Sequence, residues 1–275
     1  MNINCKGKLI DISSPKVMGI LNLTPDSFYD GNMFNNKKAI LNQVEKMIVD
    51  GATFIDVGAY SSKPGATHVS EDEEKNRIIK TVELLVKEFP YIVLSIDTFR
   101  STVAEECLSA GASIINDITA SEYDSKILKI AFKHNAPYIM MHMKGMPKDM
   151  MKKNKYDDLL KDIIYYFSEK VAVARSNKIN DIIIDPGFGF SKDLDQNYTL
   201  LKNLGLLKSL NLPILVGLSR KSMIYKLLET TPKNALNGST CLNTIALING
   251  ASILRVHDVK EAMECIKITN QFNKQ

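Results

Sequence analysis

Asp56, Asp97 and Asp185 each follow β-branched residues, in "TFIDVG", "IVLSID" and "DIIIDPG". A carboxylate at the end of a buried strand loses water and needs donors in its place. One such Asp is equally well read as a helix N-cap. Three on separate runs, joined by Asn22 and Asn116, point to a shared ligand. A flat nitrogen heterocycle bearing an amino group and a ring N–H would satisfy them. The alternative use is as hard oxygen ligands, with Asp56 or Asn22 holding Mg²⁺ beside a phosphate.

Positive groups gather later in the chain, in "SRKS" (Ser219 to Ser222) and "RVHD" (Arg255 to Asp258). Arg255 offers a planar fork for phosphate oxygens. His257 lies two positions on, so both side chains point to one side of an extended strand. Lys221 alone reads as a surface charge at a helix start. "SSKPGAT", holding Ser62, Lys63, Pro64 and Gly65, reads either as an anion cradle or as a simple Pro-Gly turn. "DPGFGF" lacks the spacing of a dinucleotide fingerprint, and its glycines suit close approach of backbone to a flat ring. The stretch "TPDSFYDG" carries two aromatics, Phe28 and Tyr29, more than a connector needs. No GxSxG, Walker or HExxH motif occurs. His68 and His134 stand alone, and Met140 to Met143 reads as core filling, with Met143 able to line a ring pocket.

These residues need a frame that brings separated segments together. Eight short apolar runs recur, each with its polar residue: Asn22, Asp56, Asp97, Asn116-Asp117, His142, Asp185, Ser219 and Arg255-His257. Their lack of alternation suits strands buried on both faces of a parallel sheet. Charged stretches of helical length separate them. One places Ile40, Val44, Met47 and Ile48 on a single face and stops at Gly51. Another starts at Ser70 with Glu73 at capping-box spacing. Eight strands alternating with helices predict a single α/β domain over residues 1–275, a (β/α)8 TIM barrel with its polar strand ends at one mouth. A doubly wound open sheet is the weaker reading, because no glycine fingerprint follows the first strand.

Composition agrees. The 275 residues are 45% hydrophobic and 24% charged, with a net charge of +4. That balance suits an anionic small substrate and gives no case for nucleic acid. Cys5, Cys107, Cys241 and Cys265 are far apart, which predicts reduced thiols and no zinc. No signal-peptide layout opens the chain, and no apolar run approaches the ~18 residues of a membrane span, so a soluble, cytoplasmic protein with no membrane partner is expected.

"MGILNLTPDSFYDG", "IDVGAYSSKPGA", "SIDTFR", "INDI", "HMKG", "IDPGFGF", "SRKS" and "LRVHDV" together resemble the dihydropteroate synthase family, in family order, from about Val17 to Glu261. The resemblance implies a (β/α)8 barrel that joins 6-hydroxymethyl-7,8-dihydropterin diphosphate to 4-aminobenzoate, releasing diphosphate by a dissociative route. It implies pterin contacts at Asp97, Asn116, Asp185 and Lys221. Asn22, Ser62, Lys63, Arg255 and His257 are implied at the diphosphate, with Asn22 and Asp56 near Mg²⁺. Phe28, Ser62, Pro64, Lys221 and Ser222 are implied at the aminobenzoate pocket, and the catalytic set is Asp97, Asp185, Lys221, Arg255 and His257. A homodimer is implied too. Ala59, Tyr60, Ser62 and Lys63 depart from the usual second motif, and Lys63 lacks the fork of the arginine more often found there. A pterin-binding methyltransferase would need no diphosphate corner, and a silent paralogue would be expected to have lost strand-end residues.

Overall fold

The apolar runs do become strands, and each is short. A computed structural model describes residues 1–23, 33–60, 69–147 and 149–274, and leaves the side chains of residues 33–36 and 151 undescribed. The parallel strands are β3 (Lys16–Asn22), β4 (Phe54–Gly58), β5 (Leu94–Asp97), β6 (Ile114–Asp117), β7 (Tyr138–Met141), β8 (Ile182–Asp185), β9 (Leu215–Val216) and β10 (Ile253–Val256). They lie side by side in chain order, with β10 pairing back onto β3. A bridge between Ile184 and Ile214 joins the two ends of the sheet, so the eight strands close into a (β/α)8 TIM barrel. The seventh run is regular strand only at Leu215–Val216. Pro213 before it has no N–H to give a ladder.

The helices are α1 (Met33–Val49), α2 (Glu71–Glu88), α3 (Ser101–Ser109), α4 (Lys126–Lys133), α5 (Leu159–Ser176), α6 (Leu194–Lys202), α7 (Ser222–Tyr225), α8 (Leu236–Ile248) and α9 (Val259–Phe272). Ile40, Val44 and Met47 of α1 are buried as their spacing predicts, whereas Ile48 is exposed at the edge of that face. Gly51 takes φ +106° just beyond the helix, a conformation that favours glycine. Ser70 caps α2 by accepting from the Glu73 N–H. The expected box is half made, because the Glu73 carboxylate pairs with Arg77 one turn on. A complete box forms instead at α6, between Asp193 and Gln196.

Alternate residues of each strand face opposite ways. Outward residues such as Val17, Leu21, Val57, Ile96 and Ile184 pack under the helices. Inward residues Met18, Phe54, Ile114, Ile139, Ile183 and Ile253 form a second cluster at the start of the strands. Burial on both faces is why the strand sequences do not alternate. An antiparallel hairpin, β1 (Asn2–Cys5) and β2 (Lys8–Asp11), turns through Lys6 and Gly7, both at positive φ. Its Ile3, Cys5, Ile10 and Ile12 join the inward cluster and plug that end of the barrel. No helix among the described residues is long and apolar enough to cross a membrane.

Candidate active site

Two residues beyond the apolar layer, the inward positions become polar. Asp56, Asn116 and Arg255 lie on β4, β6 and β10, and Asp97 ends β5. Arg255 donates from Nε to Asp56 Oδ2 at 2.6 Å and from an Nη to Asp97 Oδ2 at 2.6 Å. Asn116 Nδ2 donates to the same Asp56 oxygen at 3.0 Å. One guanidinium thus ties two carboxylates together across the barrel mouth. Asp56 is fully buried, and its Oδ1 has no hydrogen-bond partner among the described residues.

Burial pushes the Asp97 carboxyl up to about 7, against the pull of Arg255 and with help from the charge on Asp56. Asp185 is also raised by burial, with Lys221 opposing the shift. The Asp185 Oδ1 accepts from the Gly187 N–H at 2.8 Å.

Lys221 corrects the simple reading of a surface charge. It is the N-cap of α7, but its side chain runs inward over Gly189. Its ammonium donates to the Phe188 carbonyl and lies 4.7 Å from the centroid of the Phe190 ring. Burial lowers its pKa to about 8, with Asp185 opposing. Gly187 and Gly189 have φ +70° and +76°, and a Cβ on Gly187 would collide with the His142 carbonyl oxygen. Close approach is therefore what these glycines provide, to the protein's own chain.

His257 is exposed at the rim beyond β10, with Nδ1 3.1 Å from the Ser219 hydroxyl. Asn22 is exposed at the end of β3, level with Gly58 in the register. Ser222 opens α7. Asp56, Asp97, Asn116 and Arg255 are hydrogen-bonded into one network, with Asp185 and Lys221 electrostatically coupled to it. Arg220, inside "SRKS", instead makes a two-point bond to Asp258 at 2.9 Å and 2.9 Å, joining the loops after β9 and β10. Phe28, Tyr29, Ser62, Lys63, Pro64 and His68 lie outside the described residues. His134, set aside from the sequence, is bonded to Glu105 away from the mouth.

Residues 18–257 match the family model described as "Pterin binding enzyme". The chain belongs to the pterin-binding enzyme family. The dihydropteroate synthase of Escherichia coli K12 is 43% identical over 270 residues, covering 98% of this chain and 95% of that protein. The Yersinia pestis dihydropteroate synthase, solved with a sulfonamide drug complex, superposes with a TM-score of 0.93 at 42% identity over 100% of both chains. The Xanthomonas albilineans enzyme, solved with 4-aminobenzoic acid, does so with a TM-score of 0.91 at 34% identity over 100% of this chain and 98% of the other. The resemblance carried by the eight motifs is borne out, and within the pterin-binding family this chain groups with dihydropteroate synthases, which are transferases.

One residue of this pterin-binding barrel has no counterpart in the reading of its sequence. Lys192 follows "DPGFGF" and is only 2% exposed, beside the site. A lysine seven positions after a strand-end Asp, with Asp193 and Gln196 behind it, looks like the solvated start of a helix. His142, read with its methionine neighbours as filler, is the side chain Lys192 meets, at 3.0 Å. Met141 and Met143 pack with Phe99, Ile118 and Met150.

Proposed function

We propose that this chain condenses 6-hydroxymethyl-7,8-dihydropterin diphosphate with 4-aminobenzoate, giving 7,8-dihydropteroate and diphosphate. The observation that carries the reading is the charge arrangement at the mouth: Asp56, Asp97 and Asp185 share two cations, Arg255 and Lys221. Departure of diphosphate leaves positive charge on the pterin methylene and ring. Carboxylates already desolvated around that ring favour the cation without reorganising when it forms. Asp97, Asn116, Asp185 and Lys221 are the proposed ring contacts, with carboxylates accepting from the ring's amino and N–H groups. The arylamine then attacks the methylene carbon through its nitrogen lone pair and loses a proton. No covalent enzyme intermediate is needed, consistent with the absence of an activated Ser or Cys motif.

Arg255, His257 and Asn22 are proposed for the diphosphate end, with Ser62 and Lys63. Phe28, Ser62, Pro64, Lys221 and Ser222 are proposed for the aminobenzoate pocket. Arg255 has two roles in this scheme. It neutralises Asp56 and Asp97, and its side chain remains one-fifth exposed to meet an anion.

Mg²⁺ is proposed as the cofactor. Among the described residues no group of three His, Cys, Asp or Glu side chains is placed to hold a metal. Mg²⁺ keeps most of its water and needs only one or two protein oxygens when it rides on a phosphate. The exposed Asn22 amide and the unpartnered Asp56 Oδ1 fit that small donor set. Asn22 would hold the ion directly, and Asp56 would join only if Arg255 turned toward the diphosphate. When bound, the ion offsets charge growing on the leaving diphosphate.

A homodimer is proposed as well. Leu227 and Leu228, just after α7, and Ile245 and Ile248 on α8 leave apolar side chains exposed on neighbouring elements. Exposed apolar side chains on adjacent elements are surface that a second copy would cover. A cytoplasmic location suits a folate-pathway enzyme with no membrane-crossing helix among its described residues. The direct test mixes purified protein, the pterin diphosphate, 4-aminobenzoate and Mg²⁺. Diphosphate and dihydropteroate should appear in equal amounts, and release of neither would overturn the assignment.

A further inference from the structure

Lys192 belongs to the loop that joins β8 to α6, its side chain is buried, and its hydrogen-bond partners are all uncharged. The ammonium donates to the Gly187 carbonyl at 3.0 Å and to the Phe190 carbonyl at 3.0 Å, and it lies 3.0 Å from His142 Nδ1. Burial lowers the Lys192 pKa to about 7, with Asp185 opposing. In its protonated form the amine has three protons and no lone pair, so three acceptors use it fully. Toward the protonated amine, His142 accepts through an unprotonated Nδ1. Burial and the charge on Lys192 both keep the imidazole neutral.

The same turn is held from its other side by site residues. The N–H of Gly187 faces Asp185, while its carbonyl faces Lys192. The Phe188 carbonyl accepts from Lys221, and the Phe190 ring lies under that ammonium. Gly189 N–H is taken by Asn197 at 2.7 Å. Lys192 therefore grips residues 187 and 190 from behind, and Lys221 meets residues 188 and 190 from the mouth. A buried cation is costly unless its hydrogen bonds are all made, and a merely space-filling role would be met by a methionine or leucine.

We propose that Lys192 is a positioning residue for the reaction: it clamps the Gly187 and Phe190 carbonyls and His142, and so sets the placement of Lys221 relative to Asp185 at the pterin end of the site. The inference deepens the proposed pterin assignment and rests on it for its effect on substrate.

The test compares Lys192→Met, Lys221→Met and the double variant for binding of 6-hydroxymethylpterin by calorimetry. Lys192→Met should weaken binding about tenfold, the scale of one lost hydrogen bond to a charged group. If Lys192 acts through Lys221, the double variant binds no worse than Lys221→Met alone, because coupled residues are not additive. Losses that simply add, or an unchanged affinity in Lys192→Met, would overturn the role. Should Lys192→Met fail to fold, Lys192→Arg keeps charge and bulk while its planar fork cannot reach three converging acceptors. It should weaken binding in the same direction, and wild-type affinity from it would overturn the role. Amide hydrogen exchange at Gly187 and Gly189 is read in the same variants. If wild-type protein binds no pterin, the functional assignment falls, and faster exchange in the variant still supports the clamp while unchanged exchange overturns it.

Discussion

The two ends of one barrel are built from the same strands and have opposite interiors. At the closed end Met18, Phe54, Ile114, Ile139, Ile183 and Ile253 face inward, capped by Ile3 and Ile10 of the hairpin. Two residues further along four of those strands, the inward positions are Asp56, Asn116, Asp185 and Arg255. A two-residue step along a strand is roughly 6.6 Å. Over that distance the interior passes from hydrocarbon to paired charge. The lower layer supplies rigidity through packing, and the upper layer spends part of that stability on groups that are costly to bury. The barrel tolerates a charged layer because an apolar one lies directly beneath it.

The comparison breaks most sharply at Arg255. Arg255→Met strands two buried carboxylates, Asp56 and Asp97, that now share one guanidinium. Removing a central charge-stabilising group costs on the order of a thousandfold in rate, so kcat/KM for the pterin diphosphate should fall at least that far. Steady-state diphosphate release checks it, and a loss under tenfold would remove Arg255 from the diphosphate end. Stability should also drop, by about 3 kcal/mol, as expected when one partner of a buried pair is deleted. Urea titration reads that loss.

At the opposite end, Phe54→Ala should cost about 3–5 kcal/mol in the same titration, through lost burial and the cavity left behind. Assayed well below its melting range, this variant should keep kcat/KM within about threefold of wild type, since packing governs the lower layer. A far larger activity loss with full folding would mean that the two layers are not separable.

The pH profile sharpens the view of the upper layer. The working form is Asp97 ionised and Lys221 protonated. With Asp97 raised to about 7 and Lys221 lowered to about 8, kcat/KM should be bell-shaped, falling below about 7 and above about 8. Each limb steepens to about tenfold per pH unit. Lys221→Arg should move the alkaline limb upward if that limb belongs to Lys221.

The smallest effect is on stability. Asp97 binds its proton more tightly folded than unfolded, since its value rises from 3.8 to about 7. Between those values the native state holds more protons, so this group's contribution to stability falls as pH rises through the window. Asp97→Asn should therefore gain relative to wild type between pH 5 and pH 8. Melting temperatures of both proteins at the two pH values decide it, and a relative loss at pH 8 would reverse the sign.

Much of this was readable without coordinates. The eight runs lead to eight parallel strands, because burial on both faces writes itself as unbroken Ile, Val and Leu. The strand-end positions of Asp97 and Asp185 follow from the same runs, whereas Asp56 lies in the middle of β4 and Asn116 one residue before the end of β6. The hairpin has only a weak local signature, Lys6-Gly7 between two alternating runs, because each strand has only four residues. Ile48 looked equivalent to its neighbours, and only the position of the face edge exposes it.

What the sequence determined by itself is the order of apolar runs and helices, the polar residues that punctuate those runs and the family, since local pattern and motifs are properties of contiguous residues. What the tertiary structure decided is pairing. Arg255 is 199 residues from Asp56 and 158 from Asp97 in the chain, and barrel closure alone brings one guanidinium to both. Lys221 reads as an exposed helix-start charge and Lys192 carries no local signal, yet both are turned inward by a glycine-rich turn with carbonyls to offer. Whether a lysine is solvated or buried depends on acceptors supplied by distant segments, and no local pattern records their arrival.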